Sequence, residues 1–285
     1  MKKLVLIIIT VLFLFFIGFY FIGVYTTNSF IEERAEELAA SAKEKSSEKF
    51  YYSEIDSLPP PVQNYFRFTV KEGTVKPRFV RLKQSGKFKT NIGSDFKNLT
   101  SVQYCTSNKP GFIWAAEIDF ADLVWIKGID TYFEGEGNLL IKFMSGITIS
   151  NEGGKEISQS QIVRWLMETV WYPTSLLPSE NLSWGEIDSS KAKLNFTEND
   201  IAIEAVFHFN EYGSVDKITA QRYMTTVAGP ALTNYTAYLS NYKEVNGITL
   251  PHHVEVEWNL DHQDFRYGVF DIDEIEFDNF TVYEK

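Results

Sequence analysis

Apolar positions run almost without interruption from Leu4 to Tyr25, behind Met1-Lys2-Lys3. A helix of that length covers the hydrocarbon core of a bilayer, about 30 Å at roughly 1.5 Å per residue. A secretory signal has an apolar core of roughly 7 to 15 residues and a small-residue cleavage site. This run is longer and ends on Tyr20, Phe21 and Tyr25, which predicts an uncleaved anchor over residues 1–25. The alternative is a cleaved signal with Ala39 to Ala42 near a distant cleavage site. Lys2 and Lys3 precede the run and Glu32-Glu33 follow it, which puts the N-terminus in the cytoplasm and the rest of the chain outside the cell membrane.

From Ser29 to Lys49 the chain is rich in Ala, Glu, Lys and Ser, a composition that favours helix and offers little to bury. Residues 26–57 are accordingly expected to form a charged helical stalk and linker. Leu58-Pro59-Pro60-Pro61 then predicts a short helix through Val62, Tyr65 and Phe66, opening a single β-rich domain over residues 58–285.

Beyond Gly73 the period of apolar positions becomes two. Ile201, Ile203, Ala205, Phe207 and Phe209 alternate with polar neighbours, as do Val254, Val256, Trp258 and Leu260. Asn151-Glu152-Gly153-Gly154, Asn210-Glu211-Tyr212-Gly213 and Asn246-Gly247 read as hairpin turns. Apolar parity shifts twice between Phe265 and Phe277, as bulges in a curved sheet would require.

One stretch keeps a helical period. Ser158-Gln159-Ser160-Gln161 has capping-box spacing, and Ile162 to Trp171 reads as a helix ended by Pro173. Its apolar residues cover most of its circumference, more than a surface helix needs, so it is expected to be buried on two sides. The predicted fold is mainly β: a large curved antiparallel sheet, half-barrel-like, covered by one apolar helix.

Composition narrows the function. The formal charge is −11, and removing Lys2 and Lys3 leaves 25 basic against 38 acidic residues outside, or −13. Such a surface repels phosphate backbones, so nucleic acid is not an expected partner. The lone Cys105 cannot form an intramolecular disulfide and has no evident base beside it. His208, His252, His253 and His262 lack metal-ligand spacing. Asp271, Asp273, Glu274, Glu276 and Asp278 lack the loop of a calcium site and read as a solvated strand face. Gly135-Glu136-Gly137 reads as a turn or bulge, and no Gly-x-Ser-x-Gly elbow is present. No metal or cofactor is expected.

Arg164 and Glu168 are the charged residues of the apolar helix, one turn apart. In a dry setting they should pair with each other or with Arg222 or Asp130. Two readings follow: a structural ion pair, or a polar recognition point at the mouth of a cavity, with Arg164 meeting a head group or carboxylate and Trp165, Trp171 and Tyr172 lining the wall.

The segment Arg164-Trp165-Leu166-x-Glu168-x-x-Trp171-Tyr172-Pro173-Thr174-x-Leu176-Leu177-Pro178 resembles the signature of a bacterial and archaeal family of unknown function. Leu58-Pro59-x-x-Val62, Pro110-Gly111-Phe112-x-Trp114-Ala115, Gly135-x-Gly137, Trp184, Phe209-Asn210-x-x-Gly213 and Gly247-Ile248-x-Leu250-Pro251 are similar in the same order. The resemblance implies one domain, often behind a membrane segment, and carries no activity with it.

The leading expectation is a membrane-tethered, non-enzymatic domain that holds a lipid or other hydrophobic small molecule, with Arg164, Trp165, Glu168, Trp171, Tyr172 and Arg222 as ligand-binding candidates. Aromatic residues make up 15% of the chain, enough to wall such a cavity. The alternatives are an envelope interaction module with a filled core, and a hydrolase using Glu168 or Asp130 as general base.

Overall fold

The structure is a computed structural model, and it describes residues 2–43 and 48–283. Helix α1 runs unbroken over Lys2–Lys43, and α2 over Pro60–Thr69 begins with prolines in its first turn. Six strands follow: β1 Phe79–Phe88, β2 Lys97–Thr106, β3 Gly111–Ala121, β4 Val124–Phe133, β5 Glu136–Phe143 and β6 Ile147–Gly153. Helix α3 spans Lys155–Glu168. Seven strands complete the chain: β7 Leu182–Asp188, β8 Lys191–Glu198, β9 Ile201–Phe209, β10 Val215–Thr226, β11 Gly229–Val245, β12 Ile248–Asn259 and β13 Asp264–Phe277.

All thirteen strands join one antiparallel sheet in the order β6-β5-β4-β3-β2-β1-β13-β12-β11-β10-β9-β8-β7. The first and last strands therefore pair in the middle, and the segment from Gly154 to Asn181 connects the two edges. Helix α3 touches β4, β5 and β6 on one flank and β9, β10 and β11 on the other. A flat sheet could not bring both flanks to one helix, so the sheet is bent around α3.

The bend has visible causes. Asp273 is an extra residue opposite the Lys83–Gln84 step, and Tyr267 is extra opposite Val256–Glu257. These are the bulges that the parity shifts in β13 predict, and bulges raise local twist. Asn246 and Gly247, at φ 51° and 84°, make the two-residue turn between β11 and β12.

Alternation sorts the side chains into two layers. Val80, Leu82, Cys105, Phe112 and Trp114 face inward beneath α3, together with α2. Phe79, Tyr104, Ile113, Ala115 and Ile129 face outward, and α1 covers them with Ile31, Ala35, Leu38, Ala39 and Ala42. The expectation of a stalk with little to bury is corrected here. Its alanines lie one turn apart and are small enough for the helix to lie flat on the convex face of the sheet.

Two further expectations change. Asn151 to Gly153 belong to edge strand β6, and Gly154, at φ 102°, is the residue before α3. Ser158 lies inside the helix, where its Oγ accepts the Gly137 N–H at 2.9 Å. A Cβ on Gly137 would lie 2.6 Å from Ser158 Cα, so the glycine is what lets α3 approach β5. The α-helix ends at Glu168 and tightens into a 3-10 turn over Thr169–Trp171, and a second such turn spans Pro173–Leu176.

Candidate functional site

The space between α3 and the concave face is filled in one half and hollow in the other. Leu82, Phe112, Tyr132, Trp165 and Phe207 close the filled half. The hollow half is a cavity of about 390 Å³, walled largely by apolar side chains such as Ile118, Leu139, Met167, Val254, Trp258 and Phe270. Thr90, just past the end of β1, and Thr225, near the end of β10, are exposed and belong to the wall, so the cavity opens there.

That end of the sheet carries the β1–β2, β3–β4, β5–β6, β10–β11 and β12–β13 turns. The β5–β6 turn is also where the apolar helix meets the domain. Thr27 Oγ1 lies 2.6 Å from the Ser145 carbonyl oxygen and 2.5 Å from Lys142 Nζ, and Tyr20 packs against Gly146. Among the described residues, α1 is the one helix long and apolar enough to cross a membrane, and none of its most apolar stretch is buried against the domain. The cavity thus opens at the end of the domain from which the apolar segment departs.

At the boundary between hollow and filled halves sits a charged network. Arg164 Nε donates to Glu168 Oε1 at 2.8 Å, and Nη1 donates to Asp130 Oδ2 of β4 at 2.5 Å. Glu168 Oε2 accepts from Gln103 Nε2 at 2.6 Å. The guanidinium stacks 4.6 Å from the Trp114 ring and 5.2 Å from Phe112. Burial alone would pull the Arg164 pKa down, yet Glu168 and Asp130 more than offset it and hold the guanidinium above its ordinary value. Cys105, beneath Gln103, has its thiol pushed well up by burial and then by Glu168, so it is a protonated core residue.

Arg222 is placed differently. It lies on β10, 7% exposed, with Nε donating to the Ser160 carbonyl oxygen at 3.0 Å and to Ser160 Oγ at 2.9 Å. Its guanidinium lies 5.1 Å from the Tyr235 ring and 5.6 Å from Trp258, two other wall residues. Burial raises the Tyr235 hydroxyl well above its ordinary pKa, so it stays protonated and bonds Tyr267 at 3.0 Å.

Of the six sequence candidates, Arg164, Glu168, Trp171 and Arg222 border the cavity. Trp165 and Tyr172, expected in the wall, lie in the filled half. Trp165 donates to the Thr106 carbonyl oxygen at 2.9 Å and packs on Phe196, with ring centres 5.7 Å apart. The helix has two apolar sides, and sequence alone does not say which one meets the void. Trp114, Trp258, Tyr235 and Tyr267 also border the cavity, and nothing local marks them for it, because each sits on a strand of the sheet.

The acidic stretch of β13 is a solvated strand face, as expected, and its carboxylates form surface ion pairs. Glu276 pairs with Arg81 at 2.8 Å, Glu274 with Lys83 at 3.0 Å, and Asp271 with His253 at 2.7 Å. Among the described residues no three His, Cys, Asp or Glu side chains come together as a metal site.

Residues 56–277 match the family of unknown function DUF6920. The chain belongs to that family. No curated protein matches it. Among solved structures it is similar to the LolA superfamily protein NE2245 of Nitrosomonas europaea, at 11% identity and a TM-score of 0.42, over 76% of this chain and 91% of that one. It is also similar to a domain from Vibrio parahaemolyticus described as an outer membrane lipoprotein-sorting protein, at 12% identity and a TM-score of 0.37, over 71% and 86% of the two chains.

Proposed function

We propose that this protein is a membrane-tethered, non-enzymatic binding domain that takes a lipid or other hydrophobic ligand into the hollow half of its core. The observation that carries the reading is the cavity itself. Interiors are normally packed to crystal density, and an apolar void of about 390 Å³ forgoes dispersion contacts that a bound molecule would restore. Its volume falls within the roughly 300–1,000 Å³ of small-molecule sites.

Its position supports the same reading. With residues 4–25 in the bilayer, the N-terminus cytoplasmic and residues 58–285 as one extracytoplasmic domain, the open end of the cavity lies beside a reservoir of hydrophobic molecules. Arg164, Glu168 and Asp130 then act as the floor of the site. Both carboxylates are bound to Arg164, and Glu168 also to Gln103, which leaves Glu168 poorly placed to serve as a general base.

The test uses the full-length chain in lipid nanodiscs and an apolar dye that fluoresces on leaving water. Ala237→Phe inserts a ring into the cavity wall from β11. Saturable dye binding should be present in the native protein and lost in the variant. Equal binding in both would place the dye elsewhere and refute the reading.

A further inference from the structure

The second arginine of the cavity gives the ligand a head group. Resting on the reading above, we infer that Arg222 is an oxyanion-binding point and that the ligand is an anionic amphiphile: an apolar body carrying a carboxylate or phosphate.

The two arginines that border the cavity differ in what neutralises them. Arg164 is held by two carboxylates, so its charge is already answered. Arg222 is as buried and has no ion pair. Its Nε is satisfied by Ser160, which also fixes the side chain, because Ser160 Oγ in turn donates to the Tyr223 carbonyl oxygen at 2.9 Å. Among the described residues, the hydrogen bonds of the Arg222 side chain both run through Nε, and none is made by Nη1 or Nη2. The rings of Tyr235 and Trp258 lend partial compensation as cation–π partners. An aromatic face supplies no hydrogen-bond acceptor of the strength a guanidinium finds in water.

Neither nitrogen is among the sealed unpartnered atoms of the interior, so on this largely buried side chain both are reachable from the cavity, where an anion would supply the missing counter-charge. The two free N–H-bearing nitrogens form a planar fork that matches the two oxygens of a carboxylate or phosphate. The fork is rigid before any ligand arrives, and the surrounding wall of Val256, Trp258, Phe265 and Tyr267 lowers the local dielectric, which strengthens attraction to an anion. Asp130 and Glu168 do not compete for it, since each faces Arg164. The arrangement favours a molecule whose tail fills the apolar void and whose single charged end reaches Arg222.

The six tryptophans all lie beyond residue 113, so quenching of their fluorescence reports on the domain and not on the anchor. Full-length protein in phosphatidylcholine nanodiscs is titrated with 12-bromododecanoate, 12-bromododecyl phosphate and the uncharged 12-bromododecanol, with inorganic phosphate as a competitor. The native protein should bind the two anionic chains roughly tenfold or more tightly than the alcohol, the scale of a charge-assisted hydrogen bond. Arg222→Gln should bring the acid-to-alcohol affinity ratio close to one, and Arg222→Lys should retain part of the preference. Displacement of the anionic chains by inorganic phosphate, at the same Arg222 dependence, would support an oxyanion point that recognises the head without the tail. Equal affinity of the native protein for acid and alcohol overturns the inference and leaves the hydrophobic site standing. Binding of none of the three overturns both. Because the acid-to-alcohol ratio is read on the native chain, a variant that fails to fold does not remove the test.

Discussion

Arg164 and Asp130 stand 34 positions apart in sequence and meet with Nη1 2.5 Å from Oδ2, tying the covering helix to the floor of the sheet. With Glu168 they form a network whose side chains are between 12% and 15% exposed. Removing one member of such a network strands the others. Arg164→Leu leaves two buried carboxylates without a counter-charge and should cost about 3–5 kcal/mol. The triple change Asp130→Leu, Arg164→Leu and Glu168→Leu should recover most of that loss, because nothing charged then remains buried. Urea unfolding measures both. A loss below about 1 kcal/mol for the single variant would mean that water screens the network.

The close approach of Gly137 to Ser158 makes a packing prediction. Gly137→Ala places a methyl group where the helix backbone already lies, so α3 must shift or β5 must bend. Overpacking of this kind costs about 1–3 kcal/mol. The Gly137 N–H bond to Ser158 Oγ should weaken as well, visible as faster amide exchange at Gly137. Unchanged stability would show that the two elements are free to part.

His253 contributes a pH dependence. Burial acts to lower its pKa, but the hydrogen bonds and charges of Asp271 and Glu255 prevail and raise it. A raised folded-state pKa stabilises the protein below the unfolded value of about 6.5, and that contribution is lost as pH rises through the higher folded value. His208 and His252, both lowered mainly by burial, act in the opposite direction and are common to native and variant protein. The melting-temperature gap between native protein and His253→Gln should therefore be wider at mildly acidic pH than at alkaline pH. A gap independent of pH would argue that the ring is neutral throughout.

The orientation of the domain can be read with depth-sensitive quenchers. Leu123, 89% exposed at the β3–β4 turn, shares the end of the sheet that holds the anchor junction, whereas Tyr212, 74% exposed, lies on the β9–β10 turn at the opposite end. Leu123→Cys, labelled with a fluorophore, should be quenched by nitroxide lipids in the nanodisc, and Tyr212→Cys should not. Buried Cys105 should stay unlabelled in the native state. Equal quenching at the two sites would rule out a cavity mouth facing the bilayer.

Much of the fold is written in local periods. The alternation from Ile201 to Phe209 marks β9, the broken parity of β13 marks its two bulges, and Asn246-Gly247 marks a tight turn, since each is a property of a few neighbouring residues. The apolar run at Leu4 marks a helix in the same way. What escaped was fixed by contacts between distant segments. The alanines of α1 looked inert until the convex face of the sheet supplied something to cover. Ser158 looked like a helix cap until Gly137 supplied a backbone N–H.

The sequence by itself determined a mainly β chain with one apolar helix in its midst, an apolar N-terminal segment, and a charged pair on that inner helix. Only the tertiary structure decided that Trp165 and Tyr172 fill the core while Trp171 and Arg222 border a void, and that Arg164 is neutralised while Arg222 is not. The reason is physical. Periodicity is carried by covalent neighbours, whereas a cavity is the volume left over when strands and a helix from across the whole chain are brought together, and a charge is compensated or bare according to what folds against it.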